Sequence, residues 1–346
     1  MKKFTFKNLF MIVISAALPV ALAGCSLFGG QQVVYKPANP YWLSSASFGN
    51  VVDRSAYEKC SYELSYKEAA TPNADVAVSY LPESSYTTEL KADKYNDADC
   101  YLLTVTYDIR GTYTTKADGK TYDFSDLSVS KTYFTWDSGV KFLCSEENAQ
   151  TTLPEKTDGG YDFEKIAYTA KIVYGGNKAQ TEFHITEGKP SSFAVKEGAT
   201  ATIKNYNNGN YLDKNVMIFA VRSFDFAEGL NYSFGTVDVL SNSKRSMIFA
   251  AAGAATTVNV VNLKHNGVVG EYGLRDDTGT IFTVSAQMYT VNMNLNETYR
   301  GTNISATYFE DSERYRHYMY SLTTDLPYGL GRLTYTHTDV TDRISG

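Results

Sequence analysis

From residue 50 onward, bulky and polar side chains alternate with a period of two, and that rhythm leaves few folds open. The clearest stretch follows Cys100. There Tyr101, Leu103, Val105, Tyr107 and Ile109 share one face of an extended chain, and Thr104, Thr106 and Asp108 share the other. One face is suited to packing, the other to water or a partner. Tyr, Thr, Val and Phe supply the strand formers and Gly, Asn and Asp the turns, so the expected fold is mostly β.

Turn chemistry places three hairpins. In Trp136-Asp137-Ser138-Gly139-Val140 the glycine can take the left-handed position of a three-residue loop, which sets Trp136 against Val140, Phe134 against Phe142 and Thr132 against Cys144. Ala117-Asp118-Gly119-Lys120 and Gly175-Gly176-Asn177 are the other two, each between alternating flanks. Spacing and content differ at each, so no internal repeat is read.

Two segments depart from simple alternation. Across 213–224, Val216 with Ala220, and Met217 with Val221 and Phe224, fall on one helical face behind Asp213, a competent N-cap; this reads as a short helix, with a buried strand as the rival. The long run from Ile281 to Leu295 changes phase near Met288, which calls for a β-bulge there or for two short strands joined at a corner. The polar, turn-rich stretch 205–212 is where two lobes of the domain would meet.

The amino terminus has a different character. Lys2, Lys3 and Lys7 precede an apolar run from Leu9 to Leu22 that Pro19 interrupts, too short for the roughly 20 residues a bilayer span needs. It closes on Leu22-Ala23-Gly24-Cys25, which resembles the lipobox of bacterial lipoproteins at all four positions. That resemblance implies removal of residues 1–24 and a diacylglycerol on the Cys25 sulfur, usually with a third acyl chain on the new amino group. Two or more chains anchor stably where one does not. Ser26 in place of aspartate favours the outer membrane in a Gram-negative cell; in a Gram-positive cell the expected location is the surface. Residues 25–48 then read as a flexible tether, about 25 Å end to end, and residues 49–340 as the β domain.

The second half carries a further likeness. Arg222 on the short helix, Tyr308-Phe309-Glu310-Asp311 before Arg314, and Gly331 opening the last strand resemble an uncharacterised family of exported bacterial proteins. That family has a curved antiparallel sheet similar to the lipoprotein carriers LolA and LolB, with an apolar concave side. It often has Pro-Val after the Asp-x-x-Arg step, where this chain has Arg316-His317. No catalytic residues are established for it, so none is carried over. The implied architecture is one large curved antiparallel sheet, a half-barrel, with a short helix; a two-lobed β-sandwich is the alternative.

Composition restricts the chemistry. Loss of residues 1–24, which hold three lysines and no acids, takes the net charge from −6 to −9. An acidic, exported chain without a basic block is a poor partner for nucleic acid. Cys60, Cys100 and Cys144 can form at most one bridge, with three pairings open. Cys60 alternates in phase with Tyr62, Leu64 and Tyr66, and Cys144 with Phe142 and Val140, the pattern of buried structural thiols. His184, His265, His317 and His337 lack metal-ligand spacing, and no cofactor or metal is expected. Asp276-Asp277 and Glu310-Asp311-Glu313 are the carboxylate groups nearest to glycosidase chemistry, but acids beside Gly279 and Ser312 more often cap turns.

The positive signal is aromatic, with 28 Tyr and 18 Phe. From Tyr315 to Leu322 bulky residues fall on both strand faces, as they do in a sandwich core or around a cavity. The expectation is a non-enzymatic, lipid-anchored envelope protein that binds or scaffolds. It would hold an apolar ligand or a lipoprotein segment on a curved sheet, with Tyr318, Tyr320 and Met293 as candidate contacts. Its partners would be the membrane, through Cys25, and an apolar ligand or envelope protein. A surface adhesin or glycan-binding module with a flat aromatic platform is the alternative, and a hydrolase the third reading.

Overall fold

Long strands follow from the alternation, and the computed structural model shows them as one large antiparallel sheet that does not close into a barrel. It describes residues 32–34, 54, 56–136, 140–158, 160–189, 196–204, 213–216, 231–239, 243–259, 264–265, 268–269, 278–289, 304–309, 319–326 and 329–342. The first half of the chain gives β1 (Gln32–Val34), β2 (Tyr57–Lys67), β3 (Val76–Tyr80), β4 (Ser85–Tyr95), β5 (Ala98–Thr115), β6 (Thr121–Trp136), β7 (Val140–Thr157), β8 (Gly160–Gly175), β9 (Lys178–Glu187) and β10 (Ala199–Lys204). A 3-10 turn, Lys214–Val216, follows. The second half gives β11 (Asn231–Asp238), β12 (Ser243–Asn259), β13 (Lys264–His265), β14 (Val268–Val269), β15 (Thr278–Tyr289), β16 (Ile304–Phe309), β17 (Met319–Asp325) and β18 (Arg332–Asp342).

Two meanders make this sheet. One runs β4, β5, β6, β7, β8, β9, β10, and the other β11, β12, β15, β16, β17, β18. They join through β2, which pairs β18 on one side and β4 on the other. β3 continues the line of β4 along β5, and β1 and β13 lie parallel to β11 and β18. The described halves therefore meet along a seam of hydrogen bonds between residues near 60 and residues near 340. The expected junction at 205–212 lies outside the described residues.

The sheet curves about the face that carries Tyr101 to Tyr113 of β5. Tyr107 of β5 and Tyr335 of β18 stand three strands apart, about 14 Å on a flat sheet, yet their ring centroids are 5.7 Å apart. Tyr113 of β5 and Phe163 of β8 repeat the pattern at 5.1 Å. Side chains on a concave face converge, so rings from non-neighbouring strands fill the space between them. Among the described residues, Tyr86, Tyr168, Tyr335, Phe134, Phe142 and Phe183 are the largest fully buried side chains.

The three hairpins form where turn chemistry places them. Gly119 turns at φ 69° between β5 and β6, and Gly176 and Asn177, at φ 55° and 60°, make the two-residue loop between Gly175 and Lys178. At the third, Trp136 pairs Val140 and Phe134 pairs Phe142, as expected. The next pairs are a correction: Cys144 lies opposite Tyr133, and Thr132 faces Ser145, because Leu143 is bulged out of the ladder. Since Tyr133 and Phe134 point to opposite faces, Cys144 lies on the convex face, out of phase with Phe142.

Other expectations change in the same way. Asp213 caps as expected, accepting a hydrogen bond from the Asn215 N–H at 2.8 Å, but the described helix is a single 3-10 turn and residues 217–224 lie outside the described residues. β15 keeps register through Met288 to Tyr289; the irregularity lies in its partner, between Ala252 and Thr256 of β12. The register of β17 against β16 shifts between Thr307 and Tyr308, so Met319 joins Leu322 among the buried residues and Tyr320 becomes the extra residue of a bulge. The alternation expected over 315–322 is interrupted in its described part, 319–322; residues 315–318 lie outside the described residues.

Candidate functional site

Two surfaces of the sheet present chemistry. The concave face divides into an aromatic and a polar zone. In the aromatic zone, centred on the β18–β2–β4–β5 seam, Tyr86 lies 4.6 Å from Tyr107 and 5.5 Å from Tyr335. Tyr62 packs on Tyr86 at 5.0 Å and stacks on His337 at 4.9 Å. Such contacts add to the area buried by each ring. The zone is filled by its own side chains.

The polar zone occupies the inner faces of β6 and β7. Asp126, Ser128, Ser130 and Thr132 point inward and are buried, while Leu127, on the other face, is 42% exposed. Hydrophobic patterning is inverted along this stretch. Across the ladder, Ser130 faces Glu147, and Thr132 faces Ser145 with their hydroxyls 3.2 Å apart. The 3-10 turn lies over them. Lys214 Nζ sits 3.0 Å from Glu147 Oε2, with side-chain exposures of 7% and 3%. Asn215 Nδ2 donates to Ser145 Oγ at 3.1 Å, and the Tyr174 hydroxyl donates to the Asp213 carboxylate.

Burial pushes the Asp213 carboxyl above its ordinary range, against the pull of these donors. The same cause raises Asp126 well above its usual value, although the Thr152 N–H donates to its Oδ1 at 2.9 Å. A buried ion pair of this kind fixes position: any displacement of the turn strands two charges away from water. The cluster therefore fastens residues 213–216 to the concave face.

The convex face carries a ladder of alternating charge. Lys131 of β6, Glu146 of β7, Lys171 of β8 and Glu182 of β9 stand directly opposite one another in turn. Lys171 Nζ reaches Glu146 at 2.7 Å. Each pair contributes a few tenths of a kcal/mol, but a one-residue slip of any strand breaks the ladder, so it reinforces register. These residues line an open groove of about 500 Å³ that includes Asn148, Thr169 and His184.

His184 is held between two carboxylates, Nε2 2.8 Å from Glu182 and Nδ1 3.1 Å from Glu197, whose other oxygen accepts the Ile185 N–H. Hydrogen bonds to Glu182 and then Glu197 raise its pKa. A raised pKa means that this clasp contributes in full below the unfolded value near 6.5 and is lost as pH rises through the folded value. NMR titration should show His184 titrating above 6.5, Glu197→Gln should lower that value, and exchange protection of the Ile185 amide should fall on the alkaline side. A His184 titrating at or below 6.5 would remove the clasp.

Of the candidate contacts, Tyr320 is half-buried against the core, and burial raises its hydroxyl pKa. Tyr318, Met293 and Cys25 lie outside the described residues, as do Arg222, Asp276-Asp277, Glu310-Asp311-Glu313, Arg314 and His317. Gly331 is described and has a physical reason to be glycine: φ is +105°, and a Cβ would stand 2.5 Å from the Tyr66 ring and 2.6 Å from the Lys67 carbonyl. Cys60, Cys100 and Cys144 are buried thiols that are not paired in disulfides with one another. Burial pushes the Cys100 thiol up to about 11, unlike a nucleophile.

No family model, curated protein or solved structure matches the chain. The functional reading therefore rests on its own residues. Lys214, Glu147 and the polar faces of β6 and β7 escape a reading of the sequence because Ser-x-Ser-x-Thr beside Leu-x-Val points the hydrophobic face the wrong way. The one available signal is the acid and lysine, Asp213-Lys214, set before an apolar run.

Proposed function

We propose that this is a lipid-anchored cell-envelope protein with a non-catalytic binding or scaffolding role. The observation that carries the reading is the state of the concave face: rings from strands up to three apart pack on one another, and a buried ion pair holds the 3-10 turn over the remainder. A sheet so filled is a rigid body with a register-locked outer surface, suited to holding another molecule in place. The anchor is the lipid implied at Cys25. An acyl chain or lipoprotein segment is the apolar ligand proposed; since the concave aromatic zone is filled by its own side chains, its described contact is the half-buried Tyr320 at the bulge rather than that zone. A flat aromatic glycan platform has less support, since none of the Tyr and Phe side chains described is exposed.

Native mass spectrometry of the full-length protein, extracted from membranes of its own host, tests this reading. The expected result is a mature chain beginning at Cys25 with two or three acyl groups, which Cys25→Ser abolishes. A chain released without acyl groups would overturn the anchoring. A stoichiometric, non-covalent lipid would identify the apolar ligand, and an empty protein would restrict the role to holding an envelope protein.

A further inference from the structure

We infer that the Asn231 end of β11 faces the membrane, held there by β1, so that the interaction surface is one defined end of the sheet and its partner is the bilayer surface. The inference rests on the lipid anchor proposed above and adds an orientation to it. β1 lies parallel to β11, with Gln32 opposite Asn231, Val33 opposite Tyr232 and Val34 opposite Ser233. Residues 32–34 fall inside the segment that composition marks as free tether. Their pairing shortens the tether from the 24 residues of 25–48 to the seven steps between Cys25 and Gln32. At 3.3–3.6 Å per residue, those steps reach at most about 25 Å.

Direction follows from the parallel pairing. Gln32, the first described residue after the anchor, sits level with Asn231, and β1 runs from there toward Ser233. β11 continues to Asp238, which pairs Ser243 across the connection to β12. At about 3.3 Å per residue, that far end stands roughly 23 Å farther along the strand. A three-residue parallel pairing is weak alone, but here both partners belong to one chain, and covalent linkage supplies the local concentration. It also covers the start of a sheet edge that would otherwise offer unpaired N–H and C=O groups. A net charge of −9 on the chain without residues 1–24 gives no overall attraction to anionic lipid, so the strand pairing and the anchor set the approach.

The test uses the full-length acylated protein in vesicles of phosphatidylethanolamine and phosphatidylglycerol carrying a headgroup acceptor dye. A donor is attached through Asn231→Cys or Ser243→Cys; the native thiols are buried. Energy transfer should be higher from position 231 than from 243. Because alternate residues of a parallel strand bond to a given neighbour, Val33→Pro with Val34→Pro removes at least one donor to β11, and the difference between the two positions should vanish. Independently, Val33→Cys with Tyr232→Cys should form a disulfide, since directly opposed strand residues lie within its Cα range.

Equal transfer from 231 and 243 in the acylated wild-type background, or failure of the 33–232 disulfide, overturns the orientation while leaving the anchor standing. Absence of acyl mass on Cys25 overturns the anchor, and the orientation with it, even if the disulfide forms.

Discussion

Lys214→Met should destabilise this protein by about 3–5 kcal/mol, the cost of leaving a buried charge without its partner. Glu147 is 3% exposed at its side chain, its Oε2 is 3.0 Å from Lys214 Nζ, and its Oε1 has no hydrogen-bond partner among the described residues. Without the ammonium the carboxylate keeps its desolvation penalty and loses the attraction that offsets it. The loss is large against the total of about 5–15 kcal/mol that holds a domain together. The double variant Lys214→Met with Glu147→Leu should recover most of it, because apolar residues of similar volume replace a buried pair at little net cost. Urea unfolding at constant m-value reads both quantities. A single-variant loss below about 1 kcal/mol would mean that water reaches the pair, as it does in surface ion pairs, and that the turn is not fastened by it.

That pair shows where sequence reasoning stops. The strands, the buried face of β5 and three hairpins were legible, because alternation and left-handed turn residues are local signals. Not every local signal is strong: Asn96 and Asp97, at φ 49° and 63°, make a two-residue turn between Tyr95 and Ala98 that Asn-Asp permits without glycine. Bulges were the next limit. Leu143 leaves the ladder without any compositional mark, and that single residue moves Cys144 to the face opposite Phe142. The helix expected over 213–224 drew on Val216 and Ala220, while its described part is a 3-10 turn in which Lys214 and Asn215 are buried along with Val216.

Pairing between distant strands was the hardest to read. Cys60 lies opposite Val340, 280 positions along the chain, and nothing in the alternation of either strand names the other. Burial of the Ser and Thr residues of β6 depends on what lies above them, and the covering residues come from 213–216. Binary patterning assumes that the apolar side faces the core. Here the core side is polar because a charged turn occupies it. The candidate contacts Tyr318 and Tyr320 were read from alternation that a bulge interrupts, so only the aromatic character of that strand carried through.

The curvature of the sheet can be read by energetic coupling between two residues that a flat sheet would keep apart. Tyr335→Ala should cost about 3–5 kcal/mol, the range for removing a large buried ring, since Tyr335 is fully buried. Tyr107→Ala should fall toward the lower end of that range, at 5% exposure. Leu81→Ala, at a site 43% exposed, serves as the reference and should stay within about 0.5 kcal/mol. Tyr107 and Tyr335 belong to strands separated by β2 and β4, and substitutions 14 Å apart would add. With ring centroids 5.7 Å apart, the two should instead share one cavity. The double variant should then cost less than the two single costs added, by about 0.5–3 kcal/mol, in a cycle measured by urea unfolding. Strict additivity would place the two rings in separate environments and flatten the sheet on which the proposed binding role depends.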